Sequence, residues 1–345
     1  MFDKLMVSMK LIQSSKAQLK IPHVNMRHFA TSQIHSKQKK FEPEFSKISS
    51  QTTNLLLENA VSTDDDLPDS LGPRRKEKKE RKERRGKSNK ASDDPVVDLS
   101  DKSVLLFPGQ GAQFVGMGGR LLDTPSVREL YSEASQILNY DLLKLCLEGP
   151  RSVLDETQYC QAATVVTSLA AVELLYQRTP EAVEDCMAVA GFSVGEVTAA
   201  IFTGALSLGE GINLVKVRGE AMQAASDLEP SGMMTVFVGA DTDLGFGCQV
   251  AAEWVKRHHD IENPVCQVAN HLYCGAKVIG GHTEALKFLE QNKSDFKIRR
   301  TARLPVSGAF HTPLMEPAVE PFSLALKNSK VNNPRVPIYS NYDNK

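Results

Sequence analysis

A serine between two glycines, in Gly191-Phe192-Ser193-Val194-Gly195, is the strongest chemical feature of this sequence. An apolar run from Met187 to Ala190 leads into the turn, and from Glu196 onward apolar residues recur with helical spacing. G-x-S-x-G at a strand-to-helix crossing presents the hydroxyl on a sharp turn and leaves the next backbone N–H facing a developing oxyanion. The helix N-terminus beneath it adds partial positive charge. The implied chemistry is nucleophilic attack by the serine oxygen. A tight glycine turn with an ordinary surface serine fits the same five residues, so the pattern alone leaves both readings open.

A serine nucleophile needs a base. Of the eight histidines, His23, His28 and His35 lie near the N-terminus, His258 and His259 on a polar helix end, and His282 at a helix start. His271 and His311 remain. His311 sits in "LPVSGAFHTPLMEP", one imidazole among small and apolar residues after a strand, a setting that suits a structural histidine as well as a catalytic one. The six cysteines, Cys146, Cys160, Cys186, Cys248, Cys266 and Cys274, contain no C-x-x-C pair and read as reduced thiols in apolar segments. Cysteines and histidines do not cluster at the spacing of a zinc site.

The elements that must hold these residues alternate. "SVLLFPGQGAQ" (103–113) is a strand entering a Gly/Pro-rich loop, followed by helical patterns from Ser126 and from Gln161, the latter apolar on most faces and therefore buried. A second buried strand ends at Ala190, and 196–206 and 208–226 read as helices. Strand and helix in alternation predict an α/β fold with a mainly parallel sheet. Past Pro230 the rhythm changes to β-α-β-β-α-β over 229–305, the order of a ferredoxin-like split βαβ unit.

The N-terminal third is of another kind. Residues 36–101 are polar and carry the charge block "RRKEKKERKERRGKSNK" (74–90), which reads as a disordered, solvated linker. Residues 1–35 are basic, with Asp3 the single acid, and resemble a mitochondrial transit peptide with cleavage between Phe29 and Ser32. No uninterrupted apolar stretch reaches the roughly 18 residues of a spanning helix, so a soluble protein without a membrane span is expected.

"FPGQGAQFVGMG", "GFSVGE", "VRGEAMQ", "PSGMM", "VANHLYCGAKVIGG" and "VSGAFHTPLMEPA" together, in this order and spacing, resemble the malonyl-CoA:acyl carrier protein transacylases and their mitochondrial forms, over 104–342. The resemblance implies a hydrolase-like large subdomain (102–228, returning at 306–345) with the ferredoxin-like subdomain (229–305) inserted. It implies that Ser193 is the nucleophile, His311 its general base, and the backbone N–H groups of Gln110 and Val194 the oxyanion hole. Arg218 then grips the free carboxylate of a malonyl group, Phe310 favours malonyl over branched acyl groups, and Asn270 lines the site. A guanidinium fork suits a carboxylate through two parallel hydrogen bonds, and an acetyl group would leave it unpaired. The partners implied are malonyl-CoA and the phosphopantetheine thiol of acyl carrier protein, in the mitochondrial matrix, with no metal or organic cofactor and no nucleic acid.

Two departures from the family pattern set further expectations. Phe192 stands where most members have histidine, the mitochondrial forms it resembles also carry phenylalanine there, and it is expected only to pack. The sequence ends at "PIYSNYDNK", before the loop whose glutamine carbonyl orients the histidine in the family, so the placement of His311 is expected to depend on residues beyond Lys345 and some apolar surface to stand uncovered. The rival reading is a catalytically impaired binding or scaffold protein. "FKIRRTAR" (296–303) is a candidate docking patch for an acidic carrier protein.

Overall fold

The computed structural model describes residues 100–342, and the expected transit peptide (1–35) and nearly all of the charged linker (36–101) lie outside them. In chain order the main elements are β1 (Ser103–Phe107), α1 (Pro125–Leu138), α2 (Leu142–Glu148), α3 (Thr157–Arg178), β2 (Cys186–Gly191), α4 (Gly195–Phe202) and α5 (Leu208–Leu228). There follow β3 (Ser231–Phe237), α6 (Leu244–His258), β4 (Cys266–Tyr273), β5 (Ala276–His282), α7 (Thr283–Gln291), β6 (Arg300–Arg303), a 3-10 helix (Pro313–Ala318), α8 (Val319–Asn328) and β7 (Ile338–Tyr339).

β1, β2 and β7 form a parallel sheet with β2 in the middle. Its central position explains the unbroken apolar run: Ala188 and Val189 are both buried, so successive residues are covered on opposite faces. α4 is buried along its whole length. α3 is buried on most faces and packs against α5 and α1. By length and composition α3 is apolar enough to cross a membrane, but its apolar faces are taken up by the core of this sheet and its helices. α5 starts at a capping box, in which Ser207 and Glu210 satisfy each other's backbone N–H groups.

The second sheet is antiparallel in the order β4-β5-β3-β6, with α6 and α7 packed against it over their own core. Numbered within the unit, that is strand order 2-3-1-4, the split βαβ arrangement that the sequence order predicts. The α/β class with a parallel sheet and a separate ferredoxin-like sheet is therefore the fold of this chain.

The element ends differ from the sequence reading where local geometry decides them. α4 stops at Phe202 rather than running to Leu206, because Gly204 takes a left-handed φ of 77°. The last strand of the antiparallel sheet shrinks to Arg300–Arg303, since Lys297 also takes a left-handed φ of 54° and breaks the extended run. On β1, Val104 and Leu106 point to one face and are exposed, so apolar surface does stand uncovered there.

Candidate active site

Ser193 sits between β2 and α4 with φ 54°, in the left-handed region that non-glycine residues avoid. The two flanking glycines are forced by contact. A Cβ on Gly191 would collide with the Gly195 backbone, and one on Gly195 with the Phe107 carbonyl. The turn closes on itself through Gly195 N–H to the Phe192 carbonyl (2.9 Å) and Glu196 N–H to the Ser193 carbonyl (3.0 Å). Phe192 is partly exposed, and its carbonyl and ring fill the space that a Cβ on Gly109 would need. Packing against the GQG loop is thus what this phenylalanine does.

His311 lies 118 residues further on, with Nε2 3.0 Å from Ser193 Oγ. It too has a left-handed φ, 59°. The chain on either side is anchored: Phe310 is buried with Met222, Met233, Val278 and Met315, and Thr312 Oγ1 donates to the Ala309 carbonyl (2.6 Å). His311 therefore stands within hydrogen-bond reach of the serine. Burial, and after it the nearby Arg218 charge, push the imidazole down to about 4. It is neutral at physiological pH.

Arg218, on α5, is buried, and α5 aims it at the serine. Its Nη2 donates to Ser193 Oγ (3.1 Å) and its Nη1 to Gln161 Oε1 (2.6 Å). A guanidinium can only donate, so Arg218 occupies an acceptor position on Oγ and leaves the serine proton for His311 Nε2. With the imidazole proton on Nδ1, Nε2 is the acceptor a general base must be. Burial lowers Arg218 to about 10, which still leaves it charged. The neighbouring carboxylate, Glu196, is also buried. Desolvation pushes it up to about 7 against the opposing pull of the Asn341 N–H and of Arg218.

The backbone N–H groups of Gln110 and Val194 donate to no protein acceptor among the described residues. The Gln110 loop is held by side chains: Gly111 N–H donates to Gln113 Oε1 (2.7 Å), Gln113 Nε2 to Asp155 (2.8 Å), and Gln110 Nε2 to Thr157 Oγ1 (3.3 Å). Thr157 Oγ1 also meets Ser307 Oγ at 2.5 Å. Asn270 is opposite Val278 across the β4–β5 ladder, just after a bulge at Val268/Asn270. Val278 packs with Phe310, so the bulge turns Asn270 to the same face of the sheet, although it makes no hydrogen bond to Ser193, His311 or Arg218. His271, the other histidine left open by sequence, is exposed opposite Lys277.

The site thus gathers Ser193, His311 and Arg218, and adds four residues that the sequence reading passed over. Thr157 and Gln161 stand one turn apart on α3 and are fully buried polar groups in an apolar helix, a signal legible in hindsight. Glu196 and Asn341 have no such local mark. Among the described residues no group of three or more His, Cys, Asp or Glu is placed to hold a metal.

A parallel sheet with a serine on its strand-to-helix turn, an imidazole at 3.0 Å and an antiparallel insert defines an acyl-transferring class of site. Residues 104–344 match the acyl transferase domain, and the chain belongs to that family. It is 55% identical over 239 residues to the malonyl-CoA-acyl carrier protein transacylase, mitochondrial, of Homo sapiens, the match covering 69% of this chain and 61% of that protein. The chain thus spans about three fifths of the length of that relative. Among solved structures it resembles the malonyl CoA-acyl carrier protein transacylase of Coxiella burnetii (TM-score 0.62, 31% identity, 70% of this chain and 72% of that one). It also resembles a malonyl-transacylase in complex with its type II PKS acyl-carrier protein (TM-score 0.62, 29% identity, 71% of this chain and 75% of that one).

Proposed function

We propose that this chain carries the activity of an acyl carrier protein S-malonyltransferase, moving malonyl from malonyl-CoA to the phosphopantetheine thiol of acyl carrier protein through a malonyl-serine ester. The observation that carries this reading is the double engagement of Ser193 Oγ, by a neutral imidazole at 3.0 Å and by a buried guanidinium at 3.1 Å. The first is what a nucleophile needs, and the second is what a carboxylate at the far end of the acyl group needs.

In this scheme His311 Nε2 takes the Ser193 proton as Oγ attacks the thioester carbonyl, and the Gln110 and Val194 N–H groups receive the oxyanion. The imidazolium returns the proton to the departing coenzyme A thiolate. The incoming phosphopantetheine thiol then gives its proton to Nε2, attacks the ester, and Ser193 recovers its proton. Arg218 exchanges its bond to Oγ for the malonyl carboxylate, which releases the serine and anchors the substrate in one step. Phe310 closes the acyl pocket and Asn270 lines its small-subdomain side. No cofactor is called on.

The mitochondrial relative supports a mitochondrial setting, and we place the protein in the matrix, supplying malonyl-acyl carrier protein for fatty acid synthesis. In this reading the large subdomain spans 102–228 and 306–345, with the small one inserted at 229–305. For the carrier protein, the basic strand edge at 296–303 is the surface of matching charge, though Arg303 pairs with Glu290 and Arg300 lies over the Phe237 ring. Mass spectrometry after incubation with malonyl-CoA is expected to find one malonyl adduct on Ser193, absent in Ser193→Ala. A folded protein that takes up no adduct overturns the reading and leaves the binding-protein alternative.

A further inference from the structure

We propose that Asn341 is a positioning residue that clamps the backbone entering the turn, from the Gly191 carbonyl to the Ser193 N–H, and holds the nucleophile in its left-handed conformation. The proposal rests on the nucleophilic role given to Ser193 above.

A non-glycine residue at φ 54° persists only where its surroundings over-determine it. The hydrogen bonds of the turn itself use the Gly195 and Glu196 N–H groups and leave out the N–H of Ser193. That N–H donates instead to Asn341 Oδ1 (2.8 Å). The other end of the same amide, Nδ2, donates to the Gly191 carbonyl (2.6 Å). One side chain therefore bridges the last residue of β2 and the nucleophile, and the chemistry of its two partners fixes which end of the amide faces which.

Asn341 is itself held. Its backbone N–H donates to Glu196 Oε1 (2.7 Å), in the first turn of α4. β7 pairs in parallel with β2, Tyr339 opposite Ala190. Two residues past that pairing, Asn341 arrives level with the elbow at the C-terminal end of the sheet. The elbow is thereby stitched at three points to a segment 145 to 150 residues away in sequence. Asparagine is the residue type that meets both demands. Aspartate at 341 has no hydrogen to give the Gly191 carbonyl and sets a second carboxylate beside Glu196, and alanine satisfies neither partner.

The test uses Asn341→Ala and Asn341→Asp in the full chain. Three measurements are made: the labelling rate of Ser193 by a fluorophosphonate, the rate and half-saturating concentration of malonyl-CoA acylation, and exchange of the Ser193 amide hydrogen in the wild-type protein. Labelling and acylation are expected to slow about 100-fold in both variants, with the half-saturating malonyl-CoA concentration unchanged because Arg218 is not moved. The Ser193 amide is expected to be protected from exchange. Wild-type labelling by a folded variant overturns the proposal, as does a freely exchanging Ser193 amide, which needs no variant to fold. A wild-type protein inert to the fluorophosphonate and to malonyl-CoA overturns the nucleophile reading instead, and amide protection then still decides whether the clamp exists.

Discussion

At the scale of single residues, three titratable groups within one buried cluster set the chemistry. Arg218 is desolvated and paired with the neutral amide of Gln161, so it keeps a charge that a substrate carboxylate can satisfy. Arg218→Ala is expected to lower malonyl acylation about 100-fold or more, while acetyl acylation, slow from the start, changes little; parallel rates with the two thioesters check this. His311, neutral down to about 4, stays competent as a base at acid pH where an ordinary imidazole is already protonated. The acylation rate is expected to hold nearly level from pH 7 down to pH 5, as a rate profile at saturating malonyl-CoA would read. The same shift has a stability consequence. The unfolded chain takes up this proton near 6.5 and the folded one near 4, so the stabilisation from neutral His311 is full above 6.5 and is lost as pH falls through 4. Glu196 acts with the opposite sign. Its carboxyl is raised from 4.5 to about 7, so its contribution is full below 4.5 and lost as pH rises through 7. Comparing the acid unfolding of His311→Asn with wild type isolates the histidine, and the variant is expected to lose less stability between 6.5 and 4.

At the scale of elements, the nucleophile is a product of how β2 meets α4. The crossing is so tight that the Gly195 Cα passes against the carbonyls of Phe107 and Pro108. Gly195→Ala must push β1 and α4 apart and is expected to cost about 3 kcal/mol or more of stability, with acylation lost beyond what the unfolded fraction explains. Chemical denaturation beside single-turnover acylation separates the two. Much of this was legible beforehand. The G-x-S-x-G run, the mostly apolar helix α3 and the β-α-β-β-α-β order each follow from periodicity and turn residues acting over a few neighbours. The ends of α4 and β6 were not, because single left-handed residues, Gly204 and Lys297, decide them.

At the scale of the whole molecule, the site is a junction of segments far apart in the chain. Thr157 binds the Gln110 loop on one side and Ser307 on the other, the residue where the chain leaves the antiparallel subdomain for His311. This fully buried hydroxyl couples the loop that would receive the oxyanion to the arm that carries the base. Thr157→Val keeps the shape and removes both bonds, and it is expected to slow acylation about tenfold through that coupling with little change in the half-saturating malonyl-CoA concentration. Steady-state comparison with wild type checks the split.

The sequence by itself determined what is local: an α/β alternation, an inserted split βαβ unit, a serine on a strained turn, and, through six motifs in register, the residues to set beside it. It could not choose between His271 and His311 from their surroundings, since both follow strand-like runs. The motif register pointed to His311, and the tertiary structure supplies the physical reason by leaving His271 exposed on β4 and swinging His311 to 3.0 Å from Ser193. Gln161, Glu196 and Asn341 were likewise invisible as a set. Their partners lie 57 to 150 residues away, and a hydrogen bond depends on distance in space, which periodicity along a chain does not encode.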